Sequence, residues 1–137
     1  MKILVMGLPG SGKTYLSERL QKIFMCAWYN ADAVREMAND WDFSPEGRIR
    51  QSTRMKTIAD FETANDRIVI CDFVCPTEHG RQMFNADITI WINTIEEGRF
   101  EDTNKIFEKP KAVDYEITTY LTDKEIEKLA RDISSSY

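Results

Sequence analysis

A glycine-rich turn near the amino terminus carries the residues whose types and spacing most directly imply chemistry. Residues 7–14 read Gly-Leu-Pro-Gly-Ser-Gly-Lys-Thr, the pattern G-x-x-x-x-G-K-[ST], and they directly follow the apolar run Ile3–Met6. Glycines in such a turn let successive backbone N–H groups point at one spot, where phosphate oxygens can lie. Lys13 would reach the β- and γ-phosphates of a nucleoside triphosphate, and the Thr14 hydroxyl would hold Mg²⁺.

A second group of polar residues follows the apolar run Ala27–Tyr29. Asp32 lies just beyond this run, and Arg35 comes about one helical turn later. A carboxylate at a strand end, facing a phosphate loop, can orient Mg²⁺ or accept a proton from an attacking hydroxyl. The arginine can bind an anionic substrate through two hydrogen bonds. Taken alone, the pair is better explained by a helix cap and a solvated cation.

A further carboxylate, Asp72, ends the apolar run Ile68–Cys71. An apolar strand that ends in aspartate is the Walker B pattern, whose carboxylate binds Mg²⁺. The alternative is a carboxylate that caps the following turn. We expect Thr14, Asp32 and Asp72 to hold the metal, and Lys13, Asp32 and Asp72 to act in catalysis.

The elements that must position these residues alternate between strands and helices. The strand candidates are Lys2–Met6, Ala27–Tyr29, Ile68–Phe73, Ile88–Ile92 and Tyr115–Thr119. Helical patterns cover Thr14–Phe24, Ala31–Met37, Pro45–Asn65, Glu78–Phe84 and a terminal segment that begins after Thr122. This alternation predicts an α/β fold of the three-layer P-loop NTPase type, with a parallel sheet of about five strands and helices on both faces. In such sheets ligands bind beyond the carboxyl ends of the strands, where the candidate residues fall.

Length and composition limit the class of protein. A chain of 137 residues predicts one domain, residues 1–137. The net charge of −5 argues against a hold on duplex nucleic acid through bulk electrostatics, so we favour small-molecule partners over nucleic acid. No apolar run is long enough to cross a bilayer, and no signal-peptide pattern precedes the first strand, so we expect no membrane partner. The three cysteines lack metal-binding spacing and favour a cytoplasmic protein with reduced thiols; a homodimer is left open.

The order of the motifs resembles that of the adenylylsulfate kinases, which belong to the adenylate-kinase-like group of P-loop phosphotransferases. The resemblance covers about the first 85 residues and has nearly constant spacing between motifs. It rests on the phosphate loop, then Asn30-x-Asp32-x-Val34-Arg35, then Phe43-Ser44 with Arg48, then Phe73-Val74-Cys75-Pro76 with Arg81 beyond. It implies an ATP-dependent kinase, with ATP and Mg²⁺ as cofactors, that transfers the γ-phosphate to the 3′-hydroxyl of adenylyl sulfate.

The resemblance also implies roles for individual residues. Asp32 would lie near the metal and the attacking hydroxyl, Arg35 and Arg48 would bind the anionic end of the acceptor, and Phe43 would stack on its adenine. The further substrate contacts implied or proposed are Gln51, Phe73 and Phe107. The expected contacts with ATP are Gly7, Pro9, Gly10, Ser11, Gly12, Lys13, Thr14, Tyr15 and Arg99.

The chain departs from the family pattern in three places. Asn30 replaces an aspartate, which removes a negative charge from the metal region, and Asp72 is a candidate to supply it instead. Cys75 stands where some members carry a phosphorylated serine. The lid shrinks to a short segment around residues 99–112. The alternatives are therefore a kinase for another nucleotide or for hydroxymethylpyrimidine in phage DNA, and an ATP-binding module without catalysis.

Overall fold

The computed structural model describes residues 1–136 and contains a sheet of five parallel strands in the order β2-β3-β1-β4-β5. The strands are β1 (Lys2–Met6), β2 (Ala27–Asn30), β3 (Val69–Asp72), β4 (Ile88–Ile92) and β5 (Tyr115–Ile117). The helices are α1 (Lys13–Phe24), α2 (Ala31–Ala38), α3 (Pro45–Ala64), α4 (Glu78–Phe84), α5 (Glu101–Ile106) and α6 (Asp123–Ser136). The predicted α/β fold with a parallel five-stranded sheet is confirmed. The short helix α5, inside the lid segment, was not predicted.

Alternating side chains of β1 enter two separate apolar cores, one on each face of the sheet. Ile3 packs with Leu20 of α1 and Ile133 of α6. Leu4 faces the other way and packs in a core that includes Met55 of α3. Because successive residues of a strand point to opposite faces, a fully apolar central strand requires helices on both sides. The molecule accordingly has three layers.

Two helices begin at capping signals that the sequence carries. The Ser44 hydroxyl accepts a hydrogen bond from the Gly47 N–H at 3.2 Å, with Pro45 as the first residue of α3. Ahead of α6, the Thr122 N–H donates to the Glu125 carboxylate at 2.9 Å and the Glu125 N–H donates to the Thr122 hydroxyl at 3.3 Å. Each bond satisfies an N–H group that the helix itself leaves unpaired.

Cys26, Cys71 and Cys75 are all free and buried. Within residues 1–136, none of the helices has the combination of length and apolar composition that crossing a bilayer demands.

Candidate active site

The connection between β1 and α1 has the backbone that the glycine-rich pattern predicts. Gly10 and Gly12 adopt φ values of +87° and +110°, in the left-handed region that disfavours other residues. A Cβ atom on Gly12 would also lie 2.9 Å from the Tyr120 ring. Gly12 is the N-cap of α1 and supplies no side-chain hydrogen bond to the helix. The first N–H groups of α1 therefore lack a side-chain cap, as an anion-binding helix terminus requires.

Lys13 lies where the phosphate-loop pattern places it. Its ammonium group donates to the Leu8 carbonyl oxygen at 3.1 Å, across the loop. Burial lowers the pKa of Lys13 below its ordinary value of 10.5, and the nearby carboxylates of Asp72 and Asp32 oppose this shift. Ser11, another predicted ATP contact, is fully buried, and its hydroxyl has no hydrogen-bond partner within residues 1–136.

A polar network joins the phosphate loop to the ends of β2 and β3. Asn30 and Asp72 are register partners on the two strands, and the Asn30 amide donates to Asp72 Oδ1 at 3.2 Å. The same amide nitrogen lies 3.3 Å from Thr14 Oγ1. The Trp28 indole N–H donates to Asp72 Oδ2 at 2.7 Å. Burial raises the pKa of Asp72, although the hydrogen bonds from Trp28 and Asn30 oppose the shift.

Sequence reasoning did not assign Trp28 or Asn30 to the site. The sequence pattern indicated Asn30 only as a lost negative charge in the metal region. The sequence indicates only that Trp28 and Asn30 share one face, because residues two apart on a strand do so, and the register with β3 adds the neighbouring aspartate. The pair of Trp28 and Asn30 therefore faces the same side of the sheet, next to the aspartate that ends β3.

Asp32 lies apart from this network, exposed in the first turn of α2. The cap of that helix is Asn30, whose Oδ1 accepts from the Ala33 N–H at 3.0 Å. Residues 1–136 contain no cluster of three or more His, Cys, Asp or Glu side chains that could hold a metal by themselves. Mg²⁺ is commonly held by one or two carboxylates together with substrate phosphates, and the Asp72 carboxylate beside the Thr14 hydroxyl fits that requirement.

On the other side of α2, two arginines flank the ring of Phe43, which is 53% exposed. Arg35 is buried, with its guanidinium carbon 4.3 Å from the centre of the ring. It donates to the carbonyl oxygens of Asp40 and Asp42 at 2.9 and 3.3 Å. Arg48 lies 5.6 Å from the ring and donates to the Phe43 carbonyl oxygen at 2.9 Å. Arg35 thus orders the connection between α2 and α3, and Phe43 and Arg48 stay accessible.

Three other predicted substrate contacts are engaged within the fold. Gln51 is 5% exposed and donates to the Ala31 carbonyl oxygen at 3.0 Å. Phe73 is 7% exposed and packs edge-to-face on Phe84, with ring centres 5.4 Å apart. The Phe107 ring packs against the Trp91 ring, with their centres 6.5 Å apart. Gln51 and Phe73 are therefore buried within the fold in this conformation, and their contact with the substrate stays a prediction.

The lid segment is fixed at both ends. At its start, Asn104 exchanges two hydrogen bonds with the Gly98 backbone, at 2.8 and 3.0 Å, and Gly98 lies against Pro9 of the phosphate loop. At its other end, the Arg81 guanidinium donates to the Glu108 carbonyl oxygen and to the Cys75 carbonyl oxygen. These contacts tie the lid to the phosphate loop and to the segment that follows β3.

The two remaining predicted ATP contacts lie on the β4 and β5 side of the loop. Arg99 is exposed at the start of the lid, 5.4 Å from the Phe100 ring. The guanidinium carbon of Arg19 lies 3.5 Å from the centre of the Tyr15 ring. The Tyr15 and Tyr120 rings pack edge-to-face, with their centres 6.0 Å apart. The carboxylates Asp32 and Asp72 lie on the opposite, β2 and β3, side of the loop.

Comparisons with known proteins agree with this geometry. The sequence pattern of the AAA domain family matches residues 3–124. A probable adenylyl-sulfate kinase of Aeropyrum pernix is 36% identical over 86 residues, which are 56% of this chain and 45% of that protein. An adenylyl-sulfate kinase of Halothermothrix orenii is 26% identical over 128 residues, 85% of this chain and 69% of that protein. The chain thus spans less than half the length of the first relative.

Solved structures show the same fold. The Mycobacterium tuberculosis APS kinase in complex with AMPPNP and APS superposes with a TM-score of 0.78 at 16% identity, over 98% of this chain and 95% of that one. A shikimate kinase of Aquifex aeolicus reaches a TM-score of 0.68 at 15% identity, over 99% and 98% of the two chains. The predicted resemblance to adenylylsulfate kinases is confirmed by the named relatives. The relatives it resembles are named as adenylyl-sulfate kinases, and because the family pattern spans most of its length, the chain belongs to the AAA domain family.

Proposed function

We propose that this protein is an ATP-dependent kinase that transfers the γ-phosphate of ATP to a hydroxyl group of a nucleotide-like acceptor, with residues 1–137 acting as one domain. One observation carries the proposal. An uncapped helix terminus, the Lys13 ammonium group and the Thr14 hydroxyl meet in one loop, beside the buried carboxylate of Asp72. A glycine-rich turn without a ligand has no need for this combination of cation, hydroxyl and carboxylate.

The residues of the site divide the work of phosphoryl transfer. The backbone N–H groups of residues 10–14 bind the phosphates, and Lys13 holds the β- and γ-phosphates in line with the acceptor. Thr14, Asp72 and Asp32 would hold Mg²⁺, which when bound neutralises charge on the phosphate oxygens. Asp32 is exposed on the acceptor side of the loop and would orient the attacking hydroxyl or accept its proton. Most of the catalysis then comes from positioning and charge neutralisation.

The acceptor that we propose first is adenylyl sulfate, because of the relatives named adenylyl-sulfate kinase. Phe43 offers an exposed ring for its base, and Arg48 offers a cation for its anionic end. A specific observation also favours another acceptor. Arg35, which the family pattern associates with the acceptor, donates to the Asp40 and Asp42 carbonyl oxygens in this structure. Another nucleotide, or hydroxymethylpyrimidine in DNA, is the second candidate.

The test is acceptor-dependent release of ADP from Mg·ATP. Adenylyl sulfate, other nucleotides and hydroxymethylpyrimidine DNA are compared as acceptors, with Lys13→Ala as the inactive control. Removal of one charge-stabilising donor costs about 100-fold or more in turnover, so Lys13→Ala should abolish release. Lys22→Ala is the matched control, because Lys22 is an exposed lysine on the same helix.

Asp32→Asn separates a kinase from a module that only binds ATP. A kinase loses turnover in this variant and keeps its affinity for AMPPNP. Binding of AMPPNP without phosphoryl transfer to any acceptor, in the wild-type protein, would support the binding module and contradict the proposed function. A cytoplasmic location and a homodimer stay predictions.

A further inference from the structure

We propose that Trp28 is a positioning residue for the metal site: its indole N–H fixes the Asp72 carboxylate in the orientation that binds Mg²⁺ beside Thr14. This inference rests on the proposed binding of Mg·ATP by the phosphate loop. It concerns a tryptophan to which the resemblance assigns no role.

The geometry follows from the register of two strands. Trp28 pairs with Ile70 and Asn30 pairs with Asp72, so Trp28 and Asn30 lie on the same face of β2, two residues apart. From there the indole reaches diagonally to Asp72 Oδ2 at 2.7 Å. An indole N–H can donate but cannot accept, so this bond stabilises the ionised carboxylate.

The Asn30 amide occupies the space where a cation would bind. Its nitrogen lies 3.3 Å from Thr14 Oγ1 and 3.2 and 3.3 Å from the two oxygens of Asp72. These donor hydrogens take up the lone pairs that Mg²⁺, or a water bound to it, would use. A cation placed between Thr14 and Asp72 therefore competes with the Asn30 amide. The bond from Trp28 involves neither Thr14 nor that amide, so it persists when the cation binds.

Burial makes the bond from Trp28 important. Asp72 is 2% exposed, so water cannot replace a lost donor at its carboxylate. Without the indole N–H, Oδ2 loses the shorter of its two hydrogen bonds, and the carboxylate is oriented only by the Asn30 amide, with which the cation competes. Binding of the nucleotide without metal depends on the loop backbone and Lys13, so the loss of Trp28 leaves it intact.

The experiment measures how AMPPNP affinity depends on the concentration of Mg²⁺. Calorimetric titrations are run without acceptor on the wild type, Trp28→Phe, Asp72→Asn, the double variant and Trp41→Phe. Trp41 is half exposed and serves as the matched control. We expect Trp28→Phe to raise the Mg²⁺ midpoint about tenfold, as for loss of a charge-assisted hydrogen bond, while metal-free affinity and the Trp41→Phe midpoint stay unchanged.

The double variant shows whether Trp28 acts through Asp72. If it does, Trp28→Phe adds no further shift in the Asp72→Asn background, since residues that act through one contact are not additive. Additive shifts, or a Trp28→Phe midpoint equal to that of the wild type, would overturn the inference. If the variants show the expected shifts but the wild-type protein transfers phosphate to no acceptor, only the proposed kinase function would be overturned.

A second measurement does not depend on the folding of Trp28→Phe. The indole N–H signals of the wild-type protein are followed by NMR in the AMPPNP complex, and Trp41→Phe and Trp91→Phe assign them by elimination. Addition of Mg²⁺ should shift the Trp28 signal and leave the Trp41 signal in place. A Trp28 signal that does not respond to Mg²⁺ would contradict the inference.

Discussion

The ammonium group of Lys13 is held in a partly desolvated position next to the phosphate loop. Desolvation lowers its pKa below the value of 10.5, and the attraction of Asp72 and Asp32 recovers only part of the shift. Because a phosphate ligand would supply the missing counter-charge, the cost of this buried cation is largest when the site holds no ligand. The residue that serves the proposed chemistry therefore reduces the stability of the ligand-free fold.

A pH prediction follows for Lys13. The unfolded chain binds the lysine proton more tightly than the folded chain, so the free energy of unfolding rises with pH between the folded pKa and the unfolded value of about 10.4. In Lys13→Met this contribution is absent. We expect the stability of the wild type relative to Lys13→Met to increase as pH rises from neutral towards about 10. Urea unfolding of both proteins across this range measures the difference, and a difference independent of pH would contradict the prediction.

At the scale of elements, the start of α3 is pressed against the connection that precedes it. A Cβ atom on Gly47 would overlap the carbonyl oxygen of Asp42, a backbone atom that Arg35 also holds. Gly47→Ala should therefore destabilise the protein by about 2 kcal/mol, although alanine normally favours a helix.

Gly80→Ala in α4 is the comparison for Gly47→Ala. The nearest atom to a Cβ on Gly80 is the Thr77 hydroxyl oxygen at 3.1 Å, a side-chain atom that caps α4 and needs to shift by only a few tenths of an ångström. Chemical denaturation should show a clearly smaller loss for Gly80→Ala. Equal losses in the two variants would mean that the contact with Asp42 is not the cause.

Asp40 connects the end of α2 to α3. Arg50 and Arg54 donate to its carboxylate at 2.7 and 2.8 Å, and these bonds hold the pKa of Asp40 well below its usual range. A lowered carboxyl pKa stabilises the fold above the unfolded value of about 3.9, and the contribution is lost as pH falls towards the folded pKa. Asp40 thus partly neutralises the positive charge of Arg50 and Arg54 on α3.

We expect Asp40→Asn to lower the melting temperature at pH 7 and at pH 5 by similar amounts. The difference from the wild type should shrink below about pH 4, where the unfolded carboxyl is protonated. Thermal unfolding at several pH values measures this, with Asp102→Asn on the exposed face of α5 as a control. A difference that persists undiminished in acid would argue against the ion pairs as its source.

At the scale of the whole molecule, the lid is connected to distant parts of the chain through Arg81. This side chain is 8% exposed and bonds to the Cys75 carbonyl oxygen, to Glu78 at 2.7 Å and to the Glu108 carbonyl oxygen. The Glu108 N–H donates in turn to the Pro76 carbonyl oxygen at 2.7 Å. The segment after β3 and the end of the lid thus behave as one connected unit.

Arg81→Ala should release the lid and lower stability by about 1–3 kcal/mol, because it removes a buried guanidinium group that donates to Glu78 and to the carbonyl oxygens of Cys75 and Glu108. Hydrogen–deuterium exchange should speed up in residues 99–110 and in residues 73–78 together. Arg131→Ala, an exposed position on α6, should change neither segment. Faster exchange confined to only one of the two segments would show that Arg81 does not couple them.

The architecture was predictable because its signals are local. Apolar runs, glycines and caps such as Ser44 and Thr122 each specify structure within a few residues of themselves. The bond from Trp28 to Asp72 joins residues that are 44 positions apart, and it exists only because β2 and β3 are adjacent and in this register. No pattern within either segment contains that information.

The accessibility of the candidate acceptor residues likewise depends on tertiary contacts. Arg35 has the spacing of a substrate-binding arginine, yet its direction depends on where the carbonyl groups of residues 40 and 42 lie, and the backbone of that connection is not encoded by spacing. Phe73 follows the last residue of β3, and only packing decided that its ring turns towards Phe84. Residue types identified candidates, whereas tertiary contacts decided which of them are accessible.

The burial of the cysteines has a practical consequence for measuring motion. Burial raises the pKa of Cys26 to about 11 and those of Cys71 and Cys75 to about 12. Since the thiolate is the reactive form, roughly one thiol in ten thousand or fewer is reactive at pH 7. A maleimide dye would then modify an introduced surface cysteine, such as Lys105→Cys on α5, without prior removal of the native thiols. Because the native cysteines do not compete for the dye, opening of the lid can be followed by fluorescence from the introduced cysteine alone.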